Sequence, residues 1–333
     1  MASFKSTVLT IAGAFAASAA AHGHVSGFTL DGAYQQGFDL QYAYMSSPPA
    51  IAAWTAKNLD NGFIDGSGYA SADIICHKEA TPGKTTAKSV KAGGAVGFEW
   101  TAWPESHIGP VLTYIAECGG DCSAVEATSL KWVKIDEAGI DLQTQEWPTA
   151  KMIANNNTWT TTIPAALAPG NYVLRHEIIA MHAAGQENGA QNYPQCFNVE
   201  VTGSGSTKLS GGVVGTELYK PTDAGIKFNP YTTLTSYEIP GPALWSAASS
   251  STSNSGSDSG SSSASSSAAP TPTATSAAAT SAAATSAAAT SAAATSAAAT
   301  SAPAATSAPA SKPTGSKGSN CKRSRRHARD IAY

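Results

Sequence analysis

The sequence predicts an all-β protein: an antiparallel β-sandwich with long loops, followed by a disordered tail. Three observations predict it. Short runs rich in Val, Ile, Thr and aromatic residues recur at 24–29, 95–101, 111–116, 131–135, 158–163, 172–179 and 196–201. Clusters of Gly, Pro, Asn and Asp separate these runs. No long stretch repeats apolar residues at the helical period, and only 72–80 and 181–190 suit short helical turns. That pattern belongs to a sandwich. Connections as long as those between the runs commonly carry function.

The chain of 333 residues divides into three parts. Residues 1–21 have Lys5 early, an apolar stretch over 8–17, and the small residues Ser18-Ala19-Ala20-Ala21 at the end. This is the pattern of a secretory signal peptide, and cleavage after Ala21 makes His22 the first residue of the mature protein. Residues 22–245 hold most of the Trp, Tyr and Phe and form the expected domain. Its last part, 221–245, is rich in proline and aromatic residues and is expected to wrap the domain as an ordered loop. Order is expected to end after Trp245. Residues 246–319 are almost entirely Ser, Ala, Thr, Gly and Pro, and cannot bury enough apolar surface to offset their ordering entropy. From Thr275 the unit Thr-Ser-Ala-Ala-Ala repeats, a period that packs into no solenoid. Ser and Thr with Pro read as an O-glycosylated stalk. Within 246–333 neither a cysteine-rich carbohydrate-binding module nor a hydrophobic anchoring tail is expected.

Charge and hydropathy exclude some partners. The formal net charge of −3 hides an acidic domain, with 12 Lys+Arg against 21 Asp+Glu in 22–245. Seven basic residues crowd the end, from Lys312 to Arg329. An acidic domain does not suit a phosphate backbone, so no nucleic acid partner is expected. It suits a neutral polymer or a cation. The one long apolar run is N-terminal and too short to span a bilayer, so no membrane partner is expected either. A secreted, extracellular monomer is the expected form.

Five cysteines fit an oxidising compartment. Cys321 lies in the tail. The other four allow three pairings. Cys118 and Cys122 are spaced to close a tight loop through two glycines, which leaves Cys76 for Cys196. A C-x3-C zinc site is the alternative for the short pair, although no His neighbours it. Asn156-Asn157-Thr158 is a glycosylation sequon, usable in a secreted protein.

Of the seven histidines, His22 is the informative one. An N-terminal histidine offers two donors, its α-amine and its ring Nδ1, which close one chelate ring. The free amine titrates at about 7.7–8.0, so little is lost in deprotonating it at neutral pH. A second imidazole opposite completes a T-shaped set of three nitrogens. Such a set suits copper, which favours tetragonal nitrogen donors. His107 lies between two strand-like runs, flanked by Pro104 and Gly109-Pro110. It is expected in a loop, presented rather than buried. His176-Glu177 and His182 look like a zinc-protease motif, but their spacing is six, not four. In a continuous strand they would stand about 20 Å apart, so they cannot share a metal, and His176 reads as a core histidine. In extended backbone Gln191 and Tyr193 point the same way, placing an amide beside a phenol.

These residues resemble the fungal lytic polysaccharide monooxygenases of auxiliary activity family 9. The match begins with His22-Gly23-His24-Val25 and Asp73-Ile74-Ile75-Cys76. It continues through Trp103-Pro104, Ser106-His107-Ile108-Gly109-Pro110, Tyr114 and Cys118. Lys134-Ile135-Asp136-Glu137-Ala138-Gly139 and Leu174-Arg175-His176-Glu177 follow, then His182. It ends with Gly189-Ala190-Gln191-Asn192-Tyr193-Pro194-Gln195-Cys196 and Ile239-Pro240-Gly241-Pro242 before Trp245. It covers 22–245 in order; the linker and tail lie outside it.

The resemblance implies one copper ion per chain, bound by the amine and Nδ1 of His22 and by Nε2 of His107. Tyr193 would take the protein-side axial position. His182 and Gln191 would hydrogen-bond the oxygen co-substrate. Cys76–Cys196 and Cys118–Cys122 would be the disulfides, and the fold an immunoglobulin- or fibronectin III-like antiparallel β-sandwich. The implied reaction is oxidative cleavage of cellulose or a related β-1,4-glucan by hydroxylation at C1 or C4. It uses O2 or H2O2 and an external electron donor such as ascorbate, phenols or cellobiose dehydrogenase. A flat copper site can be laid on a crystalline face, where a pocket would have to extract a chain. Stacking on sugar is expected from Tyr231 in the late loop, and from Tyr42 and then Tyr44 in the early loop. The alternatives are a non-catalytic copper-binding protein and a metal-free carbohydrate-binding sandwich. The presence of Gln191 and Tyr193 disfavours the former, and a histidine at the cleavage point disfavours the latter.

Overall fold

The computed structural model describes residues 22–248. The expected signal peptide, and all of the expected tail except 246–248, lie outside the described residues. Among the described residues the chain forms ten strands and two short α-helices. They run in the order β1 (Val25–Leu30), β2 (Ala33–Gln36), α1 (Asp73–Cys76), β3 (Val90–Lys91), β4 (Ala95–Trp100), β5 (Val111–Glu117), β6 (Lys131–Ala138), α2 (Pro148–Ala154), β7 (Thr158–Thr162), β8 (Gly170–Ala180), β9 (Gln191–Thr202) and β10 (Val213–Val214).

The strands form two sheets. One has four strands in the order β2-β1-β4-β7; the other has six, β10-β6-β5-β8-β9-β3. Neighbours pair antiparallel, except that β3 runs parallel to β9 at Val90↔Val201 and Lys91↔Thr202. The protein is the all-β sandwich that its strand pattern predicts.

Two apolar clusters build the core. Val25, Phe28, Leu30, Val96 and Phe98 of the small sheet pack with Ile115, Leu174, Phe197 and Val199 of the large one. The Phe28 and Phe197 rings meet at 4.6 Å across this layer. A second cluster covers the opposite face of the large sheet. There Leu112, Tyr114, Trp132, Val173 and Ile179 lie under Tyr69, Ile74, Ile75, Leu218 and Tyr219. Strand β5 is therefore buried on both faces over all but its last residue, which is why it reads as a continuous apolar run. Each large side chain so buried contributes roughly 1.5–3 kcal/mol, which is what holds the long loops down.

The late segment wraps the large sheet as expected. Lys134 of β6 is buried, and its Nζ donates to the Pro240 carbonyl at 2.8 Å and to Glu137 at 2.7 Å. Trp245 N–H donates back to the Lys134 carbonyl at 2.9 Å. The ordered domain runs past its expected end at Trp245. Residues 246–248 take a helical turn, and Ala248 is buried in the core with its N–H on the Trp245 carbonyl.

His176 is a core residue. Its ring stacks on Phe98 at 3.9 Å, and it sits in an oriented hydrogen-bond chain. Trp100 Nε1–H donates to His176 Nε2 at 3.1 Å, so the ring proton is on Nδ1 and donates to Thr113 Oγ1 at 3.0 Å. Thr113 then donates to Thr161 (2.9 Å), and Thr161 to Asp136 Oδ2 (2.7 Å), which also accepts from Trp159 Nε1 at 2.9 Å. Every step points toward one carboxylate.

Burial sets an acid limit on stability. It pushes His176 down to about 3 and His77 to about 4. Both rings are neutral in the fold but titrate near 6.5 in the unfolded chain. Below pH 6.5 the unfolded chain therefore binds more protons, and stability falls as the pH drops toward 4 and 3. At about 1.4 kcal/mol per tenfold change in proton affinity, the two rings together withdraw several kcal/mol. The melting temperature of metal-free protein should fall steeply from pH 7 to pH 4, and a His176→Gln variant should lose less over that range. Parallel curves for parent and variant would refute this.

Candidate metal centre

Three elements converge at one end of the sandwich. The first is the chain leading into β1. Here Gly23 lies flat on Trp103, and a Cβ at this position would stand 2.9 Å from Trp103 Cε3. His24 N–H donates to Thr101 Oγ1 at 3.2 Å, and Thr101 N–H returns to the His24 carbonyl at 2.9 Å. Val25 N–H donates to Gln195 Oε1 of β9 at 2.6 Å. These contacts fix the backbone that carries His22.

The second element is the loop from β4 to β5. His107 N–H closes a turn on the Pro104 carbonyl at 3.0 Å, and Trp103 Nε1–H donates to the His107 carbonyl at 3.0 Å. Gly109 presses against β8, where a Cβ would stand 1.9 Å from the Ile179 carbonyl oxygen; only glycine allows that approach. The expectation of a presented His107 is corrected here. The loop does carry it, but the turn and the β8 contact fold the ring inward, and 8 % of the residue is exposed.

The third element is β8 with β9. Strand β9 starts at Gln191, earlier than the expected 196, and includes Pro194. Proline is tolerated because β3 pairs with β9 only at its far end, so near Pro194 β9 has no named strand on that side. Gln191 and Tyr193 share a face, and the Tyr193 hydroxyl donates to Gln191 Oε1 at 2.9 Å. His182 follows the end of β8.

The side chains meet as follows. The His22 and His107 rings are 5.5 Å apart and nearly perpendicular, at 83°. Tyr193 lies 6.0 Å from the His22 ring and 6.5 Å from the His107 ring. His182 lies 4.2 Å from His107. Phe63 backs the site, 5.7 Å from His22 and 6.0 Å from Tyr193. No feature of the sequence analysis singled out Phe63; the one local signal is the Asn61-Gly62 turn beside it.

Desolvation, then the unfavourable proximity of the His182 and His22 rings to an added proton, hold His107 down to about 4, so its imidazole is neutral at neutral pH. Desolvation and His22 lower His182 as well. Burial raises the Tyr193 phenol, which stays protonated.

Two buried ring nitrogens here have no protein partner: Nε2 of His107 and Nδ1 of His182. An unsatisfied buried polar atom costs about 1–3 kcal/mol, so two at one point mark a place built for something else. Two imidazoles at right angles are the donor chemistry of a tetragonal nitrogen site. Among the described residues no three His, Cys, Asp or Glu side chains are arranged to hold a metal. A third nitrogen must come from the backbone, and the α-amine that cleavage before His22 would free supplies it. The residues fit copper.

The other expected residues are also placed. Tyr231 is 72 % exposed and lies against this site, its hydroxyl donating to the His182 carbonyl at 2.9 Å. Tyr42 is half-buried in the short 3-10 helix Leu40–Tyr44, with its ring 6.3 Å from Phe38. Tyr44, two residues on, is 78 % exposed. Cys76 is bonded to Cys196 and Cys118 to Cys122, which rules out the zinc alternative. Asn156 is exposed in the turn between α2 and β7.

Comparison with known proteins agrees with this geometry. The model of Auxiliary Activity family 9, formerly GH61, matches residues 22–237. The chain is 53% identical over 252 residues to AA9 family lytic polysaccharide monooxygenase A of Malbranchea cinnamomea, covering 74% of this chain and 75% of that one. It is 56% identical over 249 residues to AA9 family lytic polysaccharide monooxygenase B of Aspergillus fumigatus, covering 73% and 99%. The solved structure of Cel61B from Hypocrea jecorina, a glycoside hydrolase family 61 member, superposes with a TM-score of 0.65. Its sequence is 52% identical, and the match covers 67% of this chain and all of that one.

Proposed function

The chain belongs to auxiliary activity family 9, so it is a polysaccharide monooxygenase of a copper-dependent family, and we propose that it is secreted and cleaves cellulose or a related β-1,4-glucan at one copper ion. The observation that carries the metal reading is the buried, unpartnered Nε2 of His107, on a ring 5.5 Å from the His22 ring and nearly perpendicular to it. We read 1–21 as its signal peptide, 22–245 with its short extension as the catalytic domain, and 246–333 as a linker and tail. An N-linked glycan is placed at Asn156.

In this reading His22 holds the ion through its amine and Nδ1, and His107 through Nε2. The bound copper supplies one-electron chemistry that activates O2 or H2O2 toward a C–H bond, fed by an external donor such as ascorbate. The chain's own groups prepare that event. The clips on Gly23, His24 and Val25 hold His22 in register with His107, so the donor set is preorganised. Tyr193 closes the protein side of the site. Its hydroxyl is committed to Gln191, which keeps it a neutral neighbour and leaves the Gln191 amide NH2 as a donor toward the open side. Neutral His182 is a second donor beside His107. Both orient an oxygen species by hydrogen bonds without adding charge. Tyr231, with Tyr42 and Tyr44 of the early loop, would stack on glucose units; Tyr231 and Tyr44 are the more exposed of the three.

The test is product analysis. Secreted protein loaded with one equivalent of copper and given ascorbate should release aldonic acids or 4-keto sugars from cellulose, and none without reductant. The masses report C1 or C4 attack directly. Stoichiometric copper binding with no oxidised sugar from any β-glucan would favour the non-catalytic copper protein and overturn the enzymatic part of this proposal.

A further inference from the structure

Asn61 makes two hydrogen bonds that no role described so far requires. Its Nδ2 donates to the His22 carbonyl at 2.7 Å. Its Oδ1 faces Nδ1 of His24 at 2.9 Å and accepts that ring proton. One amide thus bridges the main chain of His22 to the side chain of the next histidine, His24. The two bonds fix the amide's orientation, because a carbonyl takes only a donor.

The backbone of Asn61 is built for this. It lies in the left-handed region, with φ 58, and its N–H closes a turn on the Asn58 carbonyl at 2.8 Å. Asn is among the few side-chain-bearing residues that adopt this conformation readily. The turn is itself anchored. His77 Nδ1 accepts from Lys78 N–H at 2.9 Å, so its proton is on Nε2, which donates to the Gly62 carbonyl at 3.0 Å. His77 follows Cys76, which the disulfide ties to Cys196 of β9. Residue 63 of the same turn puts its ring against His22.

We propose that Asn61 is a positioning residue for the N-terminal copper ligand: it clamps the His22 carbonyl and the His24 ring so that the amine and Nδ1 of His22 are held in chelating geometry before metal arrives. This rests on the copper reading above. The clamp acts on the residue that must present two donors at once. A free N-terminal residue has two soft backbone dihedrals and two side-chain torsions to order, and the amide removes much of that freedom in advance. Gln195 and Thr101 fix residues 24 and 25. Asn61 is the contact that reaches the main chain of residue 22 itself.

The test uses the mature, full-length protein with two variants. Asn61→Gly keeps the left-handed backbone and removes the amide. Asn61→Asp keeps the acceptor for His24 and loses the donor to His22. Wild type first establishes whether one Cu(II) binds per chain, which decides the copper reading separately. Cu(II) affinity by calorimetry should then fall about 10–100-fold in Asn61→Gly, the range for groups that support a metal ligand. The Cu(II) electron paramagnetic resonance spectrum should broaden into more than one species. Without copper, hydrogen exchange of the peptide starting at His22 should quicken about tenfold while the rest of the domain keeps its protection. Asn61→Asp should fall between. Unchanged affinity, spectrum and exchange in folded Asn61→Gly would overturn the proposal. So would a uniform loss of protection across the domain with copper affinity unchanged, which would make Asn61 a plain stability residue.

Discussion

Replacing His107 by Leu is expected to abolish copper binding while leaving the metal-free fold as stable as before. The reason lies in what the ring does without metal. It makes one polar side-chain contact, with Ser106 Oγ at 3.2 Å, and its buried Nε2 has no partner. That orphan costs about 1–3 kcal/mol, and a leucine of similar volume removes the penalty. Loss of ring contacts to His182 and Trp103 offsets part of the gain. The net change in metal-free stability should stay within about 1 kcal/mol, or favour the variant. Copper affinity should fall well beyond the 10–100-fold scale of supporting groups, since a ligand is lost. Native protein with copper at a hundred times its dissociation constant gains about 2.7 kcal/mol, and that rise in melting temperature should vanish in the variant. His22→Ala should lose the same rise and all oxidised product. A His107→Leu protein that still melts higher with copper would remove His107 from the site. A metal-free variant destabilised by several kcal/mol would show that the ring is structural.

The sequence made much of this site legible because the chemistry sits in a few residues. A histidine after an apolar run that ends in small residues, a second histidine in a Pro- and Gly-bounded loop, and an amide two residues from a tyrosine can each be read locally. The sandwich was legible for a similar reason, since short strands and turn residues alternate along the chain. What escaped depends on distant packing. His107 reads as exposed because Pro104 and Gly109 mark a loop, but the loop is pressed onto β8 at Ile179. Tyr42 reads only as an aromatic in a loop, and the 3-10 turn that sets it against Phe38 carries no local signal. The start of β9 was hidden by Pro194, which breaks the strand signal but does no harm where only β8 pairs with β9 and β3 does not reach. Phe63 and Asn61 gave no signal beyond an Asn-Gly turn, because their partners are some forty residues away.

Removing Glu177 should damage the fold more than any single change at the copper site. Glu177 is adjacent to His176 in β8 but points to the opposite face, beneath α1 and the late loop. It is fully buried and accepts four donors. Arg175 approaches with both terminal nitrogens, at 2.6 and 2.9 Å. Asn192 Nδ2 donates at 3.1 Å, and the Tyr219 hydroxyl donates as well. Arg175 uses its remaining donors on the Ile74 and Ile75 carbonyls at 2.9 and 2.7 Å, holding α1 to the sheet beside the Cys76–Cys196 bond. In Glu177→Ala the guanidinium stays buried with its charge unpaired, and breaking such a pair costs about 3–5 kcal/mol. For a domain of this size the melting temperature should drop by roughly 6–20 °C. Glu177→Gln should do nearly the same, since the neutral amide keeps the shape but not the charge. The double replacement Arg175→Met with Glu177→Leu should recover much of the loss, because the penalty belongs to the stranded charge and not to the missing attraction. Copper affinity per folded molecule should be unchanged in all three, since the network lies on the far side of the sheet from His22 and His107. A drop of less than 2 °C in Glu177→Ala would show that water reaches Arg175, and a double variant no better than the single would mean that the ion pair itself holds α1 in place.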